Sequence, residues 1–257
     1  MIIGSISENN KIEKRISITP DIAKKYIDSG FNILIEGGLG SHLDISDDEF
    51  LKKGCKIEKK ENILKQSDII LQLNIPEESC VDHIKQNSIL IGNFNSNQNF
   101  EKIDKFKIKK ASVFSLELLP RITRAQSMDI LSSQANLAGY KAVVDSFAQF
   151  KRAIPMMMTA AGTISAAKVL IVGAGVAGLQ AIATAKRMGA IVFATDVRMA
   201  SKEQVEILGG KFLSVDGSEN LETEGGYAKE TSDEFKKKQE DLLTETLKKI
   251  DIVICTA

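Results

Sequence analysis

The segment from Ala167 to Arg198, AKVLIVGAGVAGLQAIATAKRMGAIVFATDVR, constrains the fold more than any other stretch of the chain. Its apolar run VLIV is typical of a buried strand, and the glycine-rich turn after it leads into a stretch with helical spacing. A second apolar run then ends at Asp196. Strand, glycine turn, helix and strand in this order form one unit of a doubly wound parallel sheet. The segment therefore predicts an α/β fold.

The rest of the chain continues this alternation. Five further strands are predicted in the first half from the apolar runs MIIGSI, FNILIEGG, DIILQLNI, SILIGNF and ASVFSLEL. PDIAKKYIDSG predicts a helix that Thr19-Pro20 opens and Gly30 closes. In the second half we expect strands over 168–172, 191–196, 211–215 and 251–257, and helices over 178–188, 201–208 and 233–250.

Two Rossmann-like subdomains joined by a long helix fit this order of elements. We predict an N-terminal subdomain over 1–131, a connecting helix and crevice segment over 132–166, and a dinucleotide-binding subdomain over 167–257. Within the middle segment, Met156, Met157 and Met158 are expected to line a core or a crevice rather than to bind a metal.

Composition excludes several function classes. The 257 residues include 34 basic and 34 acidic side chains, so the zero formal net charge indicates neither a nucleic-acid nor a membrane-surface partner. No window has the long apolar run of a membrane span, and the chain itself is expected to be soluble. Three cysteines without CxxC spacing argue against a disulfide framework and a zinc site, and His42 and His83 stand apart from acidic clusters. No metal site is predicted.

The turn itself predicts how a dinucleotide is held. Its residues are Gly173, Ala174, Gly175, Val176, Ala177 and Gly178. The first glycine permits a tight turn, the second lets a pyrophosphate approach the backbone, and the third lets the helix pack on the strand. Amide groups at the start of the helix then bind the phosphates. Glycine turns also join strands to helices for steric reasons alone, so the flanking strand and helix carry the interpretation.

The end of the second strand predicts which dinucleotide is bound. Asp196, about twenty residues beyond the turn, is placed to accept hydrogen bonds from the adenosine ribose and to repel a 2′-phosphate, which favours NAD(H). Val197 and Arg198 complete the predicted cofactor-binding set at this point. Arg198 leaves alternatives open, since it could meet a 2′-phosphate, face the adenine or pair with a neighbour.

Several ordered blocks resemble one known family. RITRAQSMDILSSQANLAGYKAVV, VLIVGAGVAGLQAIATAKRMGA, ATDVR, KEQVEILGGKF and GGYAKE closely resemble proton-translocating NAD(P) transhydrogenase, in its NAD(H)-binding alpha component. The resemblance implies two Rossmann-like subdomains around a cleft, a homodimer, and NAD(H) bound by this chain. It also implies a partner beta component that binds NADP(H) on a membrane domain, at the cytoplasmic side of the bacterial inner membrane. Hydride would pass directly between the two nicotinamides, coupled to proton translocation.

The resemblance also assigns site residues. Arg121, Gln126 and Asp129 correspond to a loop beside the nicotinamide, with Ser132 close behind. An Arg121–Asp129 pair would hold that loop and leave Gln126 to hydrogen-bond toward the nicotinamide end of either nucleotide. Gly226 and Tyr227 lie in a segment that resembles the family's mobile loop over bound NAD(H). Without the resemblance, the segment from Arg121 to Asp129 is more simply an ordinary polar helix entry. Tyr227 is then as well explained by a surface loop as by a binding role.

Two alternative functions remain. Alanine dehydrogenase shares the two-domain plan and an early pattern seen here as RISITP from Arg15. Its lysine position falls on Gln72 or Asn74, and its histidine position on Asn95, so its acid/base set is missing. The second alternative is a catalytically idle NAD(H)-binding module.

The family's NAD(H)-binding component continues well beyond the equivalent of Ala257. The resemblance therefore implies that the C-terminal portion of the second subdomain is missing from this sequence. We expect further chain to complete its sheet and to return to the first subdomain.

Overall fold

The computed structural model of the chain describes residues 1–120, 122–215 and 233–256. The polypeptide divides into two compact units, Met1–Asp129 and Ile130–Ala257. Each unit is built on its own parallel β-sheet with helices between the strands. The α/β class predicted from the sequence is therefore confirmed.

The first unit contains a six-stranded parallel sheet. Its strands in chain order are β1 (Ile2–Ser5), β2 (Asn32–Glu36), β3 (Lys56–Glu58), β4 (Ile69–Leu71), β5 (Ile89–Gly92) and β6 (Ser112–Ser115). The α-helices between them are α1 (Pro20–Asp28), α2 (Asp47–Lys52), α3 (Lys60–Gln66), α4 (Glu78–Val81) and α5 (Phe100–Asp104). The spatial order is β3-β2-β1-β4-β5-β6. All strands are parallel, but the order in which successive strands are added reverses between β1 and β4. This change of order is characteristic of the doubly wound arrangement.

Both faces of this sheet are buried, because successive residues of a strand point to opposite faces. In β2, Ile33 and Ile35 belong to one buried cluster together with Phe50. Leu34 lies between them and belongs to the other cluster, together with Ile70. The near-continuous apolar runs that predicted these strands follow from this two-sided burial.

Strand β3 is the element of this sheet that the apolar pattern missed. It consists of Lys-Ile-Glu and pairs with β2 at the edge of the sheet. A single apolar residue gives no run that periodicity can detect, so this strand depends on the pairing offered by β2.

Helix α1 confirms the turn signals read from the sequence. Pro20 is its first residue, where a missing N–H costs no hydrogen bond. Gly30 follows its end with a φ of +91°, a conformation that favours glycine. Thr19 precedes the helix in an extended conformation, but its side chain makes no capping hydrogen bond.

The second unit contains a four-stranded parallel sheet and a separate hairpin. Its elements in chain order are α6 (Ile130–Gln149), β7 (Met157–Thr159), β8 (Gly162–Ile164), β9 (Lys168–Val172), α7 (Val176–Arg187), β10 (Ile191–Thr195), α8 (Ser201–Ile207), β11 (Lys211–Phe212), α9 (Asp233–Leu247) and β12 (Ile252–Cys255). The sheet order is β11-β10-β9-β12, and α6 packs on α7 within this unit. The elements predicted here from periodicity are present. Helix α7, however, begins at Val176 rather than Gly178, because Gly175 already serves as its N-cap.

The methionines before β9 are not part of a core. They lie on or beside the antiparallel pair β7–β8, and Met156, Met157 and Met158 are 62%, 48% and 76% exposed. The expectation of core packing is wrong for them, because no described sheet or helix of this unit covers these side chains. The other expectation, that they line a crevice, stays a prediction. Ile164 on β8 is likewise exposed, so the hairpin presents an apolar surface.

Candidate dinucleotide-binding site

The glycine turn lies between β9 and α7, and each of its glycines meets a different steric demand. Gly173 has a φ of +93°, which other residues rarely adopt. Around Gly175, an added Cβ would meet only Arg198 Nη2, at 4.0 Å, so a ligand can approach the backbone there. On Gly178, an added Cβ would collide with the carbonyl oxygen of Gly173. These are the three conditions that the dinucleotide fingerprint requires.

The start of α7 provides the anion-binding end of the site. Gly175 is the N-cap and has no side chain to occupy the helix terminus. Ala174 before it is buried, and Val176, the first helical residue, is 43% exposed. The first N–H groups of a helix have no partner within the helix and carry the positive end of its dipole. This terminus can therefore hold phosphate oxygens.

Asp196 follows β10 and is tied to the same turn. Its Oδ2 accepts a hydrogen bond from the backbone N–H of Ala174 at 2.7 Å. Its Oδ1 accepts one from the backbone N–H of Arg198 at 2.8 Å, and its side chain is only 7% exposed. The carboxylate predicted for the ribose thus lies in direct contact with the glycine turn.

Arg198 pairs with this carboxylate through its guanidinium. Nε donates to Oδ1 of Asp196 at 2.9 Å, and Nη2 donates to Oδ2 at 3.0 Å. Of the alternatives that the sequence left open, the structure shows the pairing with a neighbour. Burial raises the pKa of the Asp196 carboxyl, but hydrogen bonds from Arg198 and Ala174 outweigh it and hold that pKa below its usual value. Val197, between the two, is half-buried.

Sequence reasoning missed two residues that support the turn. Thr256, just after β12, donates its hydroxyl to the carbonyl oxygen of Gly173 at 2.9 Å. Gly139 on α6 lies so close to Ala177 that an added Cβ would be 2.8 Å from the carbonyl carbon of Ala177. A threonine at the carboxyl end of a neighbouring parallel strand was the available signal for the first, since those ends share one edge of the sheet.

The residues assigned to the nicotinamide loop lie in both units. Gln126 is exposed on a 3₁₀ turn, Thr123–Met128, and Asp129 follows that turn in a half-buried position. Ser132 is half-buried in the first turn of α6. Arg121, Gly226 and Tyr227 lie outside the described residues. The predicted Arg121–Asp129 pair, the loop role of Gln126 and the closing loop therefore stay predictions.

Arg15, the arginine shared with alanine dehydrogenase, forms an ion pair with Glu13 in the first unit. Arg15 donates from Nε to Oε1 of Glu13 at 2.8 Å and from Nη2 to Oε2 at 2.7 Å. The hydrogen bond from the Arg15 side chain lowers the pKa of Glu13 to about 2. The positive charge that would attract a substrate carboxylate is therefore neutralised within the chain.

The other alanine dehydrogenase positions hold amides that are deeply buried or hydrogen-bonded to other residues of the first unit. Gln72 is 6% exposed. Asn74 donates from Nδ2 to Oε2 of Glu8 at 3.1 Å, and Asn95 donates from Nδ2 to Oε1 of Gln98 at 2.7 Å. An amide side chain neither loses nor gains a proton in the neutral pH range, so it stays uncharged. These three positions therefore supply no general acid or base.

Residues 1–120, 122–215 and 233–256 contain no group of three or more His, Cys, Asp or Glu side chains arranged to hold a metal ion. In the same ranges, no helix is long and apolar enough to cross a membrane.

Comparison with known proteins identifies the family of this chain. Residues 4–138 match the model of the alanine dehydrogenase/PNT N-terminal domain, and residues 142–257 match that of the C-terminal domain. The chain is 47% identical over 265 residues to the first of the polypeptides that make up NAD(P) transhydrogenase subunit alpha in Rhodospirillum rubrum, covering 100% of this chain and 69% of that protein. This chain belongs to the NAD(P) transhydrogenase alpha-subunit family. The corresponding protein of Rickettsia prowazekii is 45% identical, and 68% of its length is covered.

Solved structures agree with the transhydrogenase family. The transhydrogenase from Sinorhizobium meliloti matches with a TM-score of 0.86 and 43% identity, over 100% of this chain and 70% of that chain. An L-alanine dehydrogenase matches with a TM-score of 0.70 at 19% identity, over 83% of this chain and 60% of that chain, which is a likeness of fold. The two transhydrogenase relatives above are named as portions of a subunit, so they belong to assemblies of several polypeptides.

Proposed function

We propose that the chain is the NAD(H)-binding component of a proton-translocating, Re/Si-specific NAD(P) transhydrogenase. It passes hydride from NADH to NADP⁺ that is bound on a partner beta component, and the membrane domain of the complex couples this transfer to proton translocation. The glycine turn tied to Asp196 carries the proposal, because it combines an anion-binding helix terminus with an acid for the ribose.

The residues of the second unit fit NAD(H). Gly175 leaves the backbone open to the pyrophosphate, and the N–H groups at the start of α7 can donate to its oxygens. Asp196 faces the ribose, and Thr256 holds the turn in shape through the carbonyl oxygen of Gly173. Arg198 and Val197 complete the adenosine end. When bound, the dihydronicotinamide of NADH supplies the hydride.

The chain's own residues need only align the reactants and exclude water from them. Hydride transfer between two nicotinamides moves no proton at the reacting carbons, so a general base is not required. This requirement agrees with the amides at positions 72, 74 and 95 and with the neutralisation of Arg15 by Glu13. Gln126, with Arg121, Asp129 and Ser132, positions the nicotinamide end, and Gly226 and Tyr227 belong to the loop that closes over NAD(H).

The proposal also covers the assembly. The chain works as a homodimer with an NADP(H)-binding partner component and a membrane domain, on the cytoplasmic side of the bacterial inner membrane. Nucleic acid is not a partner, in keeping with the balanced charge. The exposed apolar hairpin β7–β8 supports a protein partner at the second unit.

Gln126→Asn tests the proposed role in hydride transfer. The shorter side chain withdraws the amide by one methylene, and misplacement by about 1 Å can slow a reaction on the order of a hundred-fold. We expect NADH affinity to stay within a few-fold, because the role proposed for Gln126 concerns the nicotinamide end and not the pyrophosphate or adenosine. Stopped-flow measurement of transfer to NADP⁺ on the partner component is expected to show the loss.

Ser127→Ala is the matched control, since Ser127 is an exposed neighbour on the same 3₁₀ turn. It is expected to transfer hydride at the wild-type rate. A wild-type rate in Gln126→Asn would show that the turn is only structural.

A separate assay tests the alanine dehydrogenase alternative. L-alanine and NAD⁺ are added to the same preparation, and turnover above background would favour an alanine dehydrogenase.

A further inference from the structure

The Arg198 guanidinium lies at the junction of the glycine turn and the proposed ribose acid. It forms two parallel hydrogen bonds with the Asp196 carboxylate, at 2.9 and 3.0 Å. Its Nη2 is also 4.0 Å from the position that a Cβ of Gly175 would take. The guanidinium is thus close to the open backbone of the turn and to the carboxylate together. Its side chain is 21% exposed, so a ligand in this site can reach it.

This pairing changes the electrostatic argument for nucleotide choice. A carboxylate alone repels a 2′-phosphate, but the charges of Asp196 and Arg198 sum to zero. A planar guanidinium also matches the oxygens of a phosphate as well as those of a carboxylate. In NADP-binding proteins of this fold, an arginine near the ribose takes the 2′-phosphate. Simple repulsion therefore leaves discrimination at this site unexplained.

We propose that Asp196 selects against NADP(H) by occupying Arg198, so that the ion pair masks a latent 2′-phosphate site. The inference rests on the proposed function, in which this turn holds the adenosine ribose of NAD(H). Ribose hydroxyls can hydrogen-bond to the carboxylate while it keeps its backbone donors, the N–H groups of Ala174 and Arg198. A 2′-phosphate must instead compete with the carboxylate for the guanidinium.

Masking has a functional consequence for a transhydrogenase. Exchange between two nucleotide pools requires that each binding component accept one nucleotide and refuse the other. If the second unit also accepted NADP(H), its site would be blocked by the nucleotide that belongs to the partner component. The ion pair prevents this with a residue that is itself suited to bind phosphate.

Four proteins test whether the ion pair masks a 2′-phosphate site: wild type, Asp196→Asn, Arg198→Ala and the double variant. Asp196→Asn removes the charge but keeps an oxygen that can accept the N–H of Ala174, and circular dichroism melting checks that each variant folds. Fluorescence titration with NADPH is expected to show at least about tenfold tighter binding in Asp196→Asn than in wild type, since each factor of ten requires only about 1.4 kcal/mol. Arg198→Ala is expected to bind NADPH more weakly than wild type, because an uncompensated carboxylate then faces the phosphate.

The double variant distinguishes masking by the ion pair from simple repulsion by the carboxylate. We expect it to lose the tighter NADPH binding of Asp196→Asn, so that its NADPH affinity lies within a few-fold of wild type. The proposal would be refuted if the double variant still bound NADPH more tightly than wild type. It would also be refuted if folded Asp196→Asn showed no increase in NADPH affinity. Titration of wild type with NADH tests the proposed function separately, since failure to bind NADH would refute that function whatever the variants do with NADPH.

Discussion

At the scale of single residues, Glu13 and Arg15 show how a local pair changes the interpretation of a shared motif. The Glu13 side chain is 12% exposed and accepts two hydrogen bonds from the Arg15 guanidinium. An arginine that resembles a substrate ligand in the sequence is therefore engaged by an acid two residues before it. Because the pair lowers the pKa of Glu13, we expect it to stabilise the folded chain.

Glu13→Gln is expected to reduce the free energy of unfolding by about 1–2 kcal/mol at pH 7, allowing for the half-exposed arginine. The pKa of Glu13 falls from 4.5 to about 2 on folding, so its stabilisation is complete above the unfolded value. It is lost as the pH falls from about 4.5 to about 2. Urea unfolding of wild type and variant at several pH values checks this, and the two curves are expected to converge toward pH 2.

Glu101→Gln is the control for that measurement. Glu101 is exposed, and its side chain makes no hydrogen bond or ion pair with the described residues. We expect its stability to follow that of wild type at every pH. A Glu13→Gln difference that does not narrow on acidification would contradict the assignment to the ion pair.

At the scale of elements, the approach of α6 to α7 links the long helix to the glycine turn. Gly139 is buried at this crossing, and its absent side chain allows contact with the backbone of Ala177 in the first turn of α7. The proposed phosphate-binding end of α7 is therefore held in place by a neighbouring helix. This contact gives α6 a role in positioning the site.

Gly139→Ala is expected to destabilise the protein by about 1–2 kcal/mol, because the overlap outweighs the helix propensity gained by alanine. It should also weaken NADH binding, since α7 must shift to relieve the overlap. Thermal unfolding and NADH titration measure the two effects. Asn136→Ala, at an exposed position of the same helix, is the control and is expected to be neutral or stabilising. Unchanged stability and affinity in Gly139→Ala would show that the helices adjust freely.

At the scale of the whole molecule, the β7–β8 hairpin supports the proposed homodimer. Met158→Lys places a charge on its most exposed methionine, and desolvating that charge in an apolar interface is costly. Sedimentation velocity is expected to show a dimer for wild type and a shift toward monomer for the variant. Ile207→Lys, at an equally exposed position on α8, is expected to remain dimeric. A monomeric wild type, or equal behaviour of both variants, would contradict a dimer through the hairpin.

Most of the fold was predictable because its signals are local. Buried parallel strands require continuous apolar runs, and these predicted the sheet of the first unit except for β3, whose single isoleucine forms no run. The exposed methionines show the opposite error. Apolar residues indicate burial on average, but whether another element covers them depends on the surroundings of β7–β8.

The sequence by itself determined the α/β class, the glycine turn and the place of Asp196, because strand periodicity and glycine conformation depend on neighbouring residues. The tertiary structure alone decided three partnerships. Arg198 pairs with Asp196, Arg15 with Glu13, and α6 meets α7 at Gly139. A long charged side chain can reach several partners, and the closeness of two helices depends on packing over the whole unit. Such choices are fixed only when the chain is folded.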